Sequence, residues 1–416
     1  MGRPSTPLST HLPPLIMGTA TFNSQYNHDP YALPTTELVH RALTNGVRAF
    51  DTSPYYGPAE ELLGRALASE AVRAAFPRHS YQILTKVGRI ASSSFDYSPR
   101  WIRRSIRRSL RRLHTDYLDA VYCHDVEFVS RAEALEAVRE LRRIRDTEGT
   151  IRYVGISGYP VDVLCEIAEL VLRETGEPLD LVQSYANFTL QNTRLRSQGL
   201  PRLVAAGVDV VPNASPLGMG LLRRDGVPIG SMGDFHPAPD GLRNAVLTAG
   251  AWANTQEAEK LEVIAIRFAL EAWLRDGAQV GAMGPPLARA PTADSGLVSV
   301  ASNGTGERLG VSVMGVSNVN ELDETLSVWR SILDGLENGQ DKQQQQQQQK
   351  QEQTPSDWSQ DRRHRIASLT QRIQAILGPD WVDYTWASPG PDFVNTLPAD
   401  HLASLEKAED TAAEAN

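Results

Sequence analysis

From about residue 15 to residue 333, short runs of β-branched and aliphatic residues alternate with longer stretches in which apolar positions recur every three to four residues. This alternation predicts βα units feeding a parallel sheet. The strand runs are 15–21 (LIMGTAT), 48–52 (RAFDT), 81–87 (YQILTKV), 117–124 (YLDAVYCH), 151–157 (IRYVGIS), 181–187 (LVQSYAN), 208–214 (VDVVPNA) and 311–316 (VSVMGV). Between them lie helix patterns such as 131–149, with Gly149 as a stop, and 161–176, closed by Gly176. Several strand runs are apolar at consecutive positions, as strands covered on both faces are. Eight such units in one chain predict an α/β fold, a closed (β/α)8 TIM barrel. The competing arrangement is an open doubly wound sheet, but no G-x-G-x-x-G follows an early strand, so its dinucleotide fingerprint is missing.

The pattern also divides the chain. Residues 1–14 read as an N-terminal tail and 15–334 as the barrel, interrupted at 284–310 by a stretch rich in Pro, Gly, Ser and Ala that reads as a mobile insertion. Residues 335–361 hold a glutamine run at 343–349 and almost nothing apolar to bury, which predicts a disordered linker. Residues 362–416 form a C-terminal helix and tail: helical spacing returns over 362–377, and the aromatics of 380–393 are expected to dock back onto the barrel. In the basic run 100–112, Ile102, Ile106 and Leu110, followed by Leu113, recur at helical spacing, which sends most of the arginines to a solvated outer face.

With 416 residues, 41% of them hydrophobic, the chain can bury one large core or two ordinary ones. Cys123 and Cys165 are its only cysteines, which excludes a disulfide framework or a cysteine-built zinc site and reads as packing in a reducing compartment. No metal is expected. A formal net charge of -9 argues against a nucleic-acid partner. The N-terminus lacks a charged-then-apolar leader, and no apolar run approaches the ~20 residues that span a bilayer, so a cytoplasmic protein without a membrane partner is expected.

In a (β/α)8 barrel the chemistry gathers at the C-terminal ends of the strands. Polar residues predicted there are Asp51, Lys86, His124, Ser157 and Gln183, with Tyr55 and Tyr56 in the loop beyond Asp51. A buried lysine beside a carboxylate keeps its charge, and a tyrosine hydroxyl beside that ammonium has its anion stabilised. Lowering a phenol from about 10 to neutrality asks roughly 3 to 4 kcal/mol of the neighbours. A neutral histidine at the same mouth can orient a carbonyl or hydroxyl oxygen. Each residue alone also has a bland reading: a snorkelling lysine, a satisfied rim histidine, an Asp-Thr-Ser-Pro loop opener. Four compatible groups at successive strand ends favour chemistry.

These residues carry a family likeness. FDTSPYYG with Asp51 and Tyr56, LTK ending at Lys86 and YCHD holding His124 resemble the catalytic tetrad of the aldo-keto reductases. The likeness runs on through VGIS at 154–157, Gln183 and SPLGMGLL at 215–222. TKVGR at 85–89, CHDVEF at 123–128 and GISGYP at 155–160 resemble the family's sugar-oxidising branch, the aldose 1-dehydrogenases. The resemblance implies that Tyr56 transfers the proton, Lys86, Asp51 and His124 support it, and Tyr55 lines the substrate pocket with Tyr56 and His124. It also implies a nicotinamide cofactor on Gly18, Thr19, Asp51, Ser157, Gln183, Ser215, Leu217, Gly218, Gly220, Gly315, Ser317 and Glu321. Two departures stand out: Gly158 replaces an asparagine that holds the carboxamide in many members, and Ala214 replaces an aromatic that stacks on the nicotinamide.

NADP-preferring members carry a lysine and, six residues on, an arginine for the 2'-phosphate, where this chain has Gly315 and Glu321. A carboxylate repels a phosphate and accepts from a free ribose hydroxyl, so NAD is the expected cofactor. The expected reaction is oxidation of a small-molecule sugar, D-arabinose-like or L-galactose-like, at C1 to the aldonolactone. The alternatives are an NADPH-dependent aldehyde or ketone reductase using the same site, and a regulatory cofactor-binding barrel subunit.

Overall fold

The computed structural model describes residues 4–287 except 229 and 231, 308–345, 360–398 and 401. Its eight barrel strands are β1 (Leu15–Gly18), β2 (Ala49–Asp51), β3 (Gln82–Val87), β4 (Leu118–His124), β5 (Ile151–Gly158), β6 (Leu181–Tyr185), β7 (Asn213–Ala214) and β8 (Ser312–Gly315). All neighbours pair in parallel, and β8 returns to β1 to close the barrel. The expected class and closure are therefore present.

The outer layer includes α1 (Thr35–Thr44), α2 (Ala59–Ala68), α3 (Pro99–Arg112), α4 (Arg131–Thr147), α5 (Val161–Thr175), α6 (Asp240–Glu257), α7 (Leu261–Asp276) and α8 (Val319–Gln345). Local chemistry sets their ends. Ser98 caps α3 ahead of Pro99 at its first position, and Ser130 forms a reciprocal capping box with Glu133 at the start of α4. Gly176, at φ +70°, ends α5 in the left-handed conformation that glycine adopts without strain. On α3, Ile102 and Ile106 are buried while Arg103, Arg107 and Arg111 face outward, as the spacing predicts.

Two strand runs are shorter than expected. The 208–214 run contributes only Asn213 and Ala214, because Pro212 has no N–H for the ladder, while Val210 and Val211 donate singly to the Asp180 and Val280 carbonyls. The first run stops at Gly18, where the Thr19 N–H turns to the Asp51 carbonyl.

Residues 4–14 are not a loose tail. Leu8 and Leu12 are fully buried and join Ile16, Leu84, Tyr122, Leu181 and Val313 in the cluster that fills the barrel interior. Ser9 donates through N and Oγ to Asp209, and the His11 and Leu12 carbonyls accept from Gln82 and Gly284, so the segment plugs the barrel floor. Helix α8 runs on to Gln345, beyond the expected end of the barrel at residue 334. Most of the expected insertion, 288–307, and the rest of the linker, 346–359, lie outside the described residues.

After the linker, α9 (Gln360–Leu377) packs Ile366, Leu369, Ile373 and Leu377 against α6 and α7. The chain then crosses the mouth as a strap, residues 378–398. Trp386 stacks on Tyr159 at 4.6 Å, Phe393 packs on Phe95 and Phe128, and Asn395 exchanges two hydrogen bonds with the Phe95 backbone. The aromatics of 380–393 thus dock as their composition suggests.

Leu12→Ala should destabilise the protein by about 2–5 kcal/mol through the cavity it leaves in the plug. Urea unfolding midpoints measure this, and an unchanged midpoint would show the floor to be dispensable.

Candidate active site

Parallel register brings the sequence-predicted residues together at the C-terminal mouth. His124 pairs with Ser157 and Ser157 with Gln183, so three polar side chains share one level of adjacent strands. Gly315, Gly18 and Asp51 are aligned in the same way on β8, β1 and β2. A cavity of about 1060 Å³ opens above them. Asp51, Lys86, His124, Tyr55 and Tyr56 line it, as do Gly18, Ser157, Gln183, Ser215, Leu217, Gly220, Gly315, Ser317 and Glu321.

Two expected contacts do not reach this cavity. Thr19 is fully buried, with its hydroxyl turned to the Asp51 carbonyl. Gly218 sits at φ +58° in a tight turn, its N–H on the Ser215 carbonyl and its own carbonyl accepting from His236 Nε2 at 2.8 Å.

At the centre, Lys86 Nζ donates to Asp51 Oδ1 at 2.6 Å and to the Thr52 carbonyl at 2.9 Å, both partners being almost wholly buried. Burial raises the Asp51 carboxyl, and Lys86 and then Gln183 only partly counter this. Lys86 Nζ lies 4.9 Å from the Tyr56 ring centroid, close enough for the two groups to sense each other. Yet the Tyr56 phenol is pushed well above its ordinary value, by burial first and then by the Asp51 and Asp125 carboxylates, with Arg89 opposing. The expected lowering is not met in this site, where burial and the two carboxylates prevail.

His124 is held down to about 3 by burial, so its ring is neutral at working pH. Its tautomer follows from its neighbours. Nε2 lies 3.5 Å from the Asp125 carboxylate, which only accepts, and Nδ1 lies 3.1 Å from Ser53 Oγ, a hydroxyl free to donate while it accepts from the Tyr55 N–H. Nε2 therefore carries the proton, and 3.5 Å is too long for a full hydrogen bond. That N–H remains able to donate to a bound oxygen.

Several lining residues had no assigned role in the sequence reading. Arg89 pairs with Asp125, donates to Tyr55 Oη at 3.1 Å and lies flat on the Tyr55 ring at 3.9 Å. Tyr185 lies two residues past Gln183 on β6, so the strand period could have found it. Trp386 and Ser388 come from the strap, far along the chain, and no local pattern marks them. Gly158 has a physical reason for its departure: a Cβ there would run into the Glu127 carboxyl. Glu127 accepts from the Tyr159 N–H at 3.1 Å and from Ser388 Oγ at 3.0 Å, tying the strap to β5.

The donor set also fits a nicotinamide. Ser157 Oγ and Gln183 Oε1 are buried in the cavity wall without hydrogen-bond partners, a hydroxyl and an amide oxygen suited to a carboxamide. Near the start of α8, Glu321 accepts from the Ser317 N–H at 2.7 Å, and Glu262, Glu324, Arg223 and Arg224 line the same cavity.

Groups of this kind at this end of a parallel barrel define the class of barrel oxidoreductases. The aldo/keto reductase family model matches residues 14–340, and the chain belongs to that family. It is 42% identical over 266 residues to the D-arabinose 1-dehydrogenase of Saccharomyces cerevisiae, an alignment covering 64% of this chain and 77% of that one. It is 36% identical over 235 residues to the L-galactose dehydrogenase of Arabidopsis thaliana, covering 56% and 68% respectively. Among solved structures, a glycerol dehydrogenase of Gluconobacter oxydans shares the fold at a TM-score of 0.53 and 18% identity, covering 94% of this chain and 98% of that one. Among the described residues no helix is long and apolar enough to cross a membrane, and no cluster of three or more His, Cys, Asp or Glu could hold a metal.

Burial and then the neighbouring Asp125 raise Glu127 from its ordinary 4.5 to about 8. Its folded form binds more protons than its unfolded form across that window, so its contribution to stability is complete below pH 4.5 and lost as pH rises through 8. Glu127→Gln should flatten this decline, and denaturation midpoints at the two ends of the window test it; an unaltered slope would contradict it.

Proposed function

We propose that the protein oxidises an aldose at C1 to the aldonolactone, with NAD as hydride acceptor. The observation that carries this is the meeting of Tyr56, the Asp51–Lys86 pair and a neutral, Nε2-protonated His124 at one mouth. The likeness to the two sugar dehydrogenases supports the substrate class.

In this reading Tyr56 takes the proton of the anomeric hydroxyl while His124 Nε2–H donates to the same oxygen. Lys86 stabilises the phenolate across the ring face, and Asp51 holds the ammonium charged and in place. A bound oxidised nicotinamide would supply the hydride acceptor for C1 and a positive charge to offset the acidic bias against a phenolate. Ser157 and Gln183 would hold its carboxamide, and Arg223 would face the diphosphate. The barrel contributes orientation and electrostatics, the terms that matter when the cofactor carries the chemistry.

NAD is favoured over NADP by charge. Glu321, Glu324 and Glu262 put three carboxylates on the wall beside the start of α8, where a 2'-phosphate would meet repulsion and a ribose hydroxyl an acceptor. Glu321 is held in this place by the Ser317 N–H.

Tyr56→Phe should lower kcat by roughly 10² to 10⁴ while leaving NAD binding intact, as loss of a general acid–base does. NADH absorbance with an aldose, beside fluorescence titration of NAD, gives both quantities, and wild-type turnover in the variant would remove Tyr56 from the reaction. Glu321→Arg should shift the ratio of kcat/KM for NAD over NADP by ~10-fold or more toward NADP, about 1.4 kcal/mol. A ratio that stays put would take Glu321 out of cofactor selection.

A further inference from the structure

Beside His124 the cavity carries a charged pair that the proton-transfer set leaves unused. Asp125 follows the last residue of β4 in a left-handed backbone conformation, φ +57°, which an aspartate tolerates and which persists only where its surroundings enforce it. The residue lines the cavity although it is only 2% exposed. Oδ2 is bound by Arg89, and Oδ1 has no hydrogen-bond partner. Burying a charged group with one oxygen unmatched is costly, and a ligand that donates a hydrogen bond removes that cost. Arg89 is in turn fixed by the faces of Tyr55, Phe95 and Phe128, so the pair is rigid before any ligand arrives.

The neighbouring groups set what such a ligand presents. His124 Nε2, the donor assigned to the anomeric oxygen, is 3.5 Å from Asp125 Oδ2. Adjacent oxygens of a sugar ring lie roughly a hydrogen-bond length apart, so an oxygen one carbon from C1 falls against Asp125. Two oxygens neighbour the anomeric one, the ring oxygen and the C2 hydroxyl. A carboxylate only accepts, so it takes the hydroxyl and turns the ring oxygen away.

Resting on the aldose reading above, we infer that Asp125, held by Arg89, binds the C2 hydroxyl of the sugar and so selects 2-hydroxy aldoses and their orientation over the nicotinamide. Asp125 is a specificity residue in contact with substrate, and Arg89 is a positioning residue acting through it.

The test compares D-arabinose with 2-deoxy-D-ribose, the same pentose without its C2 hydroxyl, in the wild type, Asp125→Ala and Asp125→Asn. Each protein is assayed by NADH formation, with NAD binding and thermal melting followed in parallel. Asp125→Ala should lose roughly 10- to 100-fold more in kcat/KM on D-arabinose than on the deoxy sugar, the worth of one hydrogen bond to a charged acceptor, since any effect through Tyr56 is common to both sugars. Asp125→Asn keeps an acceptor oxygen and should fall between, with part of the preference retained; it also carries the test if the alanine variant melts early. Equal losses on both sugars, or a preference for D-arabinose that survives in both variants, would overturn the assignment. A wild type that binds NAD but oxidises no aldose would overturn the aldose reading itself, an outcome distinct from either.

Discussion

The ion pair between Lys86 and Asp51 is the constraint around which the mouth of the barrel is organised. Both charges are withdrawn from water on neighbouring strands at 2.6 Å, with the Thr52 carbonyl as a third partner. Such a pair adds little net stability, but removing one partner strands the other charge at a cost of about 3–5 kcal/mol. The barrel therefore has to close with β2 and β3 in one register, Asp51 alongside Leu84, for the pair to form. What the pair provides is a fixed cation 4.9 Å from the Tyr56 ring centroid.

The remaining electrostatics of the cavity follow the same logic of paired, immobile charges. Asp125 is held below the usual carboxylate range: burial alone would raise it, but His124 and Arg89 outweigh that, and with the ring neutral Arg89 is the lasting source. Burial likewise works against the Arg89 charge, and Asp125 more than offsets it. His124 stays neutral between them and is oriented by Ser53 from behind. One side of the cavity so offers an acceptor and a donor side by side, and the wall near α8 offers carboxylates.

Much of this was legible because barrel strands are covered on both sides and read as apolar runs, and because βα geometry sends their last polar residues to one end. Asp51, Lys86, His124, Ser157 and Gln183 were found in this way. The sequence reading overextended the 208–214 strand by giving Pro212 too little weight. It treated Leu8 and Leu12 as tail residues, although two leucines four apart amid prolines were a signal of burial. Thr19 and Gly218, given to the cofactor by resemblance, do not line the cavity. The Asp51–Lys86 pairing was legible, but the lowered Tyr56 pKa expected from it was not met, because how deeply the phenol is buried beside Asp51 and Asp125 is not written in the local sequence. Trp386 and Ser388 lie more than two hundred residues from the barrel residues they meet, a pairing that no local period encodes.

That distance in sequence has a consequence for the order in which the molecule is made. Domains fold as the chain emerges from the ribosome, N-terminal parts first. The loop bearing Tyr56 and the strands bearing Lys86 and His124 emerge long before residues 378–398, so the nascent chain holds this mouth as an open bowl. Residues 378–398 then supply Trp386 to Tyr159 and Ser388 to Glu127. Arrival of this strap, rather than closure of the barrel, is the event that gives the bowl its roof.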